Sequence, residues 1–238
     1  MKKNIISIMS LLLLSFYTGC GQKEESTDLT KRPSEEDVII GAAGAAETVV
    51  SYGSIDALLE ETDAVVYGEA KSYRYSVEGG SVSTIEKIEV LDCLYGDIQQ
   101  GDEISVFKMG GYARLEDYFN SYEEEFRDQV RNSIPFADLS DEEIKNKYIL
   151  FQPTGDVNTD IGSKSVFFLK ESDKEEGIYN RVGSYEGEYV ELSDGDFKVP
   201  GSETYEEIET AVASDTVDTD GLETCIISWD EIVSQIEQ

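Results

Sequence analysis

The chain of 238 residues carries 51 Asp and Glu and no histidine, so carboxylates and cysteines must supply any chemistry. Lacking histidine, it has no Ser-His or Cys-His catalysis, no histidine metal site and no histidine proton switch. A pair of carboxylates is the acid and base set of a glycoside hydrolase, yet no spacing in this chain selects one pair over another. Asp215, Asp218 and Asp220, followed by Gly221 and Glu223, offer oxygen ligands of the kind Ca²⁺ takes. The EF-hand spacing fails there, because Thr216 holds the first position and Ile227 the twelfth, and a solvated acidic loop is the competing reading. Cys93 and Cys225 either pair, closing a long loop for up to about 5 kcal/mol, or lie as buried thiols beside Leu94 and Ile226. Without histidine neither is an activated nucleophile. Gly41 to Gly44, Gly79-Gly80 and Gly110-Gly111 lack the Lys-Ser or Lys-Thr of a phosphate loop. Tyr73, Tyr75, Tyr112, Tyr118 and Tyr122 form either an aromatic surface for a glycan or protein, or the half-buried faces that tyrosine favours in strands and helices.

Charge narrows the partners. Nineteen Lys and Arg against 51 acids give a formal charge of −32, which argues against nucleic acid, whose phosphates need cations. The N-terminus departs from this acidity. Lys2 and Lys3 precede a twelve-residue apolar stretch, Ile5 to Phe16, too short to span a bilayer and suited to an export signal. Tyr17-Thr18-Gly19-Cys20 follows and resembles a bacterial lipobox, in which small residues precede a lipid-modified cysteine; Tyr17 stands where an aliphatic residue is usual. The resemblance implies cleavage before Cys20, lipidation of Cys20, and residence on the outer face of the cytoplasmic membrane. Cleavage also removes Lys2 and Lys3 and leaves a still more acidic body. Anionic headgroups repel such a body, so the lipid has to provide the attachment.

The elements follow from periodicity. Residues 20–38 are polar and charged without an apolar period and are expected as a flexible tether, leaving 39–238 as a single domain. Ser54 is placed to cap a short helix carrying Ile55, Leu58 and Leu59. From Ala64 the period is two, with turns at Gly79-Gly80 and around Gly96-Asp97, and strands at Ile85 to Leu91 and Glu103 to Met109: an antiparallel meander. A helical insertion is expected over about 112–146. There Leu115, Tyr118, Phe119, Tyr122 and Phe126 make one stripe, and Ser140 to Glu143 read as a capping box. Tyr148 to Phe151 and Val166 to Leu169 are continuous apolar runs suited to central strands. Ile178 to Val182 and Glu188 to Leu192 follow, and Asp194-Gly195 turns the chain into Phe197 and Val199. The segment 201–238 has eleven acids and no Lys or Arg; Thr204 to Glu207 and Ser228 to Glu231 are further capping boxes, the latter opening a helix with Trp229, Ile232, Val233 and Ile236 on one side.

Three stretches together resemble a family of uncharacterised bacterial extracytoplasmic lipoproteins with a netrin-like, OB-like domain. They are Ala64 to Glu69, Ile88 to Leu91 running to Tyr95-Gly96-Asp97, and Val166 to Lys170 with Tyr179 to Gly183. The resemblance implies an α+β fold, a mainly antiparallel twisted sheet curled into an OB-like barrel with inserted helices and a C-terminal helix. It implies no catalytic residues. The function expected is a lipid-anchored, non-enzymatic binding module with an extracellular protein or glycan partner; an exported carboxylate-dependent hydrolase and a protease-inhibitor-like module are the alternatives. No organic cofactor is expected, and Ca²⁺ at Asp215, Asp218 and Asp220 is the one ion suggested.

Overall fold

Two strands of 15 residues each, β3 (Ala64–Glu78) and β4 (Ser81–Tyr95), organise the fold. A computed structural model of the protein describes residues 28–29, 31–40, 52–153, 155–156, 160–193, 195–201 and 226–237. Gly79 and Gly80 join β3 to β4 with φ of +55° and +81°, a turn that residues with a Cβ enter only under strain. β4 pairs antiparallel with β5 (Glu103–Met109), and β3 pairs on its other edge with β8 (Lys164–Glu171), Val66 opposite Phe167. β9 (Ile178–Arg181) lies antiparallel to β8 and parallel to β5, Val106 opposite Tyr179. Hydrogen bonding therefore closes β3-β4-β5-β9-β8 into a ring within one large mixed sheet. The expected antiparallel meander is β3-β4-β5; the parallel pair β5–β9 is the departure from it. β1 (Asp28–Leu29) adds to β3, while β10 (Glu188–Ser193), β11 (Asp196–Lys198) and β12 (Ile226–Ser228) extend the sheet beyond β8.

The hairpin can coil into a ring because its register slips at three places, between Val65 and Val66, Tyr67 and Gly68, and Ala70 and Ser72. Such bulges bend a strand and raise its twist. Gly68 lies where β3 serves both neighbours: a Cβ there would stand 2.3 Å from Ile88 Cγ2 and 3.0 Å from the Glu89 carbonyl oxygen. Val66, Ala70, Ile88, Val90, Ile104, Val106, Phe167 and Leu169 fill the ring. The opposite parity of β3 and β8 supplies Val65, Val166 and Phe168 to a second core, with Ile55 and Leu58 of α1 (Ile55–Leu59), Phe197, and Ile232 of α5 (Trp229–Ile236).

Between β5 and β8 the chain builds the insertion: β6 (Gly111–Arg114), α2 (Leu115–Asn120), α3 (Glu124–Arg131), α4 (Asp141–Asn146) and β7 (Tyr148–Phe151). It packs a third core on the far end of the β3–β4 hairpin through Tyr75 and Val82. The single expected helix is two. Ser121 Oγ donates back to the Tyr118 carbonyl (2.7 Å), and the Arg127 guanidinium donates to the carbonyls of Asn120 and Tyr122, satisfying the end of α2 before α3 begins. Leu115, Tyr118 and Phe119 are buried as the stripe requires, whereas Phe126 is half exposed on α3. The insertion also takes up β2 (Val38–Ile40), parallel to β7, in a small sheet ordered β2-β7-β6. Residues 28–40, which include most of the second half of the expected tether, thus place two short strands in the two sheets. The capping expected at Thr204 lies outside the described residues.

Three caps form where the sequence puts them. Ser54 Oγ accepts from Ala57 N–H (3.2 Å), and Ser140 and Ser228 make reciprocal capping boxes with Glu143 and Glu231. Those hydrogen bonds hold the Glu143 and Glu231 carboxyls below the usual carboxylate range. Replacing Ser228 by Ala is expected to cost about 1 kcal/mol of unfolding free energy. Urea denaturation would detect this as a lower midpoint at unchanged slope; an unchanged midpoint would mean that α5 contributes nothing to the cooperative unit.

Candidate functional site

Inside the ring the inward parity changes character at one end. On β4 it reads Val90, Ile88, Glu86; on β5, Ile104, Val106, Lys108; on β8, Leu169, Phe167, Ser165; on β9, Tyr179, Arg181. An apolar layer gives way to a charged one, completed by Glu188 at the start of β10 and Asp156 from the turn after β7. The side chains of Glu86, Glu188, Arg181, Asp156 and Lys108 are 0%, 0%, 2%, 3% and 8% exposed, so water cannot screen them.

Arg181 holds the layer together. Its guanidinium grips Asp156 bidentately, at 2.8 and 2.6 Å, and reaches Glu188 Oε2 at 2.7 Å. Lys108 Nζ stands 2.9 Å from the same Glu188 Oε2 and 3.5 Å from Glu86 Oε2. Ser165 Oγ donates to Glu188 Oε1 at 3.3 Å. Burial alone would lower the Lys108 pKa; the charges of Glu188 and Glu86 outweigh it and raise the ammonium above its ordinary value. Arg181 is raised by the same opposition, with Asp156 and Glu188 prevailing over burial, and stays cationic.

Above this floor a crevice opens where the ring meets the insertion. Leu29, Tyr73, Tyr112, Phe151 and Pro153 wall it, and Lys108 and Asp156 stand at its base. Its enclosed part, about 30 Å³, is water-sized, and the rest is open. Gly110 and Gly111 shape it by turning the chain out of β5 into β6 with φ of +82° and +110°. A Cβ on Gly110 would lie 2.3 Å from the Phe151 carbonyl oxygen, and one on Gly111 2.1 Å from Thr84 Oγ1, which itself donates to the Gly110 carbonyl. The crevice's mostly apolar walls with a few fixed polar groups have the chemistry of a ligand site, at a volume that as it stands admits one water. At the ring's opposite end a second depression is lined by Asp63, Asp97, Asp102, Glu103 and Glu171; Asp63 and Asp102 accept from the Glu171 and Gln99 amides.

The residues named from sequence are distributed otherwise. Cys20, Cys225, Asp215, Asp218 and Asp220 lie outside the described residues. Cys93 is half-buried, its Sγ 3.3 Å from the Tyr95 carbonyl oxygen, and its expected partner Cys225 is not among the described residues. Among the described residues no three Asp, Glu, Cys or His side chains converge as a metal site, and no helix is long and apolar enough to cross a membrane. The five tyrosines do not share one surface: Tyr73 and Tyr112 wall the crevice, while Tyr75 and Tyr118 are buried in the core of the insertion, Tyr118 edge-on against Tyr122. The charged layer is the feature that sequence reading missed. Its trace was present in Glu86 and Lys108, which continue the apolar parities of β4 and β5.

Comparison of the chain with protein-family models, curated proteins and solved structures finds no match.

Two outcomes follow from the charged layer. Arg181→Met leaves Asp156 and Glu188 buried without their fork and should cost about 3–5 kcal/mol, whereas adding Asp156→Leu and Glu188→Met to it should recover most of the loss. Denaturant midpoints of the single and triple variants decide this, and equal destabilisation of both would contradict the charge argument. The second outcome concerns pH. Lys108 and Tyr189, the latter pushed up to about 12 by burial, keep their protons longer when folded than when unfolded. Their contribution is complete below about pH 10 and is lost as pH rises through the folded values. Urea midpoints from pH 8 to 12 should therefore fall above pH 10, and a flat profile would exclude the shifts.

Proposed function

We propose that this chain is a lipid-anchored, extracytoplasmic, non-enzymatic binding module built on an OB-like barrel, and that its ligand meets it at the crevice over the charged layer. The crevice carries the reading: apolar and aromatic walls above a base of fixed charge suit selective binding. The barrel reading is supported by the ring, whose five strands close through the return of β8 to β3, the Greek-key return of a small partly open barrel, with the helices inserted between β5 and β8. Membrane attachment is supported by the export signal and by the small residues before Cys20.

The ring's own carboxylates speak against the hydrolase alternative at this site. Glu86, Asp156 and Glu188 each stand against Lys108 or Arg181, so the charge that an acid and base pair would use is engaged within the fold.

Two measurements test the proposal. Mass spectrometry of the mature protein from its bacterial membrane should show a diacylated N-terminal cysteine, and Cys20→Ala should release the protein from the membrane fraction; unchanged sedimentation would remove the anchor. Thermal melts against wall-glycan fragments, peptides and divalent ions should show one class that raises the midpoint by several degrees. A ligand at 100 times its Kd adds about 2.7 kcal/mol. A Ca²⁺ response alone would move the site to Asp215, Asp218 and Asp220.

A further inference from the structure

One wall of the crevice comes from the N-terminal arm. Leu29 reaches it from β1, a strand of two residues whose register on β3 is Asp28 opposite Arg74 and Leu29 opposite Tyr73. Three residues on, Arg32 Nε donates to Tyr112 Oη at 2.9 Å, its guanidinium carbon lies 6.0 Å from the Tyr112 ring centroid, and it pairs with Asp160 at 3.2 Å. The arm then passes Glu36, whose carbonyl accepts from Lys147 Nζ (3.0 Å), and enters the small sheet as β2. The mode is strand addition: backbone pairing to a sheet edge, one apolar side chain in a pocket, one cation on an aromatic and acidic pair.

These contacts are weak ones. A two-residue ladder is short, and the Arg32 and Asp160 side chains are 45% and 52% exposed, a setting in which ion pairs contribute little. The space left beside Leu29 is about 30 Å³, room for one water, and the apolar walls of Tyr73, Phe151 and Pro153 continue past it toward solvent. A partner with a larger side chain at that position would bury more apolar area than Leu29 does.

We infer that the β3 edge at Tyr73 and Arg74, together with the crevice and Tyr112, is a docking slot for an extended segment of a partner protein. The segment carries a large aliphatic or aromatic residue and, three positions later, an Arg or Lys; Leu29 and Arg32 are the slot's built-in competitor. The inference rests on the binding-module reading and names the class of ligand for that site.

The test uses the full mature chain in detergent and a fluorescein-labelled peptide copying residues 26–34, read by fluorescence polarisation. In a chain carrying Leu29→Asp and Arg32→Ala the slot is vacated, and the peptide should bind at least tenfold more tightly than to the unaltered chain. The peptide bearing Leu29→Asp, or the one bearing Arg32→Ala, should lose at least tenfold. Adding Tyr112→Phe to the vacated chain removes one acceptor with little change of shape and should weaken the unaltered peptide severalfold. Absence of peptide binding to a vacated chain that still melts cooperatively overturns the inference, as does binding indifferent to both peptide substitutions. If the unaltered chain is a dimer that the peptide splits, the occupant is a second copy and the partner-protein assignment falls. A chain that refuses the peptide but whose melting rises with a glycan or ion keeps the binding-module reading and loses this one; a chain that responds to neither loses both.

Discussion

Arg181 is the constraint on which the ring depends. A guanidinium only 2% exposed has to have its charge met within the protein, and the carboxylates that meet it come from separate parts of the chain, Asp156 from the turn after β7 and Glu188 from β10; Lys108 of β5, a second cation, shares Glu188 and leans on Glu86 of β4. The layer is satisfied only when the ring strands and the chain leaving the insertion are all in register. A slip of one residue on β5 would turn Lys108 outward and leave Glu188 and Glu86 facing each other in a dry interior. The apolar layer beside it tolerates small shifts, because dispersion and burial have no direction; the charged layer does not. It therefore specifies one arrangement more than it adds stability.

The local features of the fold were legible in the sequence because their causes are local. Ser54, Ser140 and Ser228 cap helices through atoms three residues away, and Gly79-Gly80 needs only its own φ angles to reverse β3 into β4. The split of the insertion helix was harder to see. The stripe from Leu115 to Phe126 has helical spacing, but Arg127 and Ser121 end α2 with hydrogen bonds that periodicity does not register. The arm was hidden for a related reason: β1 and β2 are too short to show a period and take their conformation from the strands they join.

The charged layer was legible in part. Glu86 and Lys108 break the apolar parity of their strands, and a charge on a buried face is informative because it requires a partner. The partner's identity was not available in one dimension. Asp156 follows a turn at Pro153, and Arg181 ends a strand of four residues, too short to show a parity, so only the closure of the ring shows that they meet.

A chain with 51 acids and 19 cations has few basic residues to place, and where they stand is informative. Lys108 and Arg181 are enclosed in the ring, Arg114 stands just before α2 with its side chain hydrogen-bonded to Tyr148, and Arg32 lies on Tyr112 beside the crevice. The Arg32 cation, resting against one aromatic ring and one exposed carboxylate, is held by the same attraction that would draw a partner's cation through the negative field of the body. That field would favour basic segments over acidic ones and oppose phosphate-bearing ones. On the docking proposal, selectivity would follow from two terms: the charge of the whole body, acting at long range, and the fit of one apolar side chain between Tyr73, Tyr112 and Phe151, acting at contact.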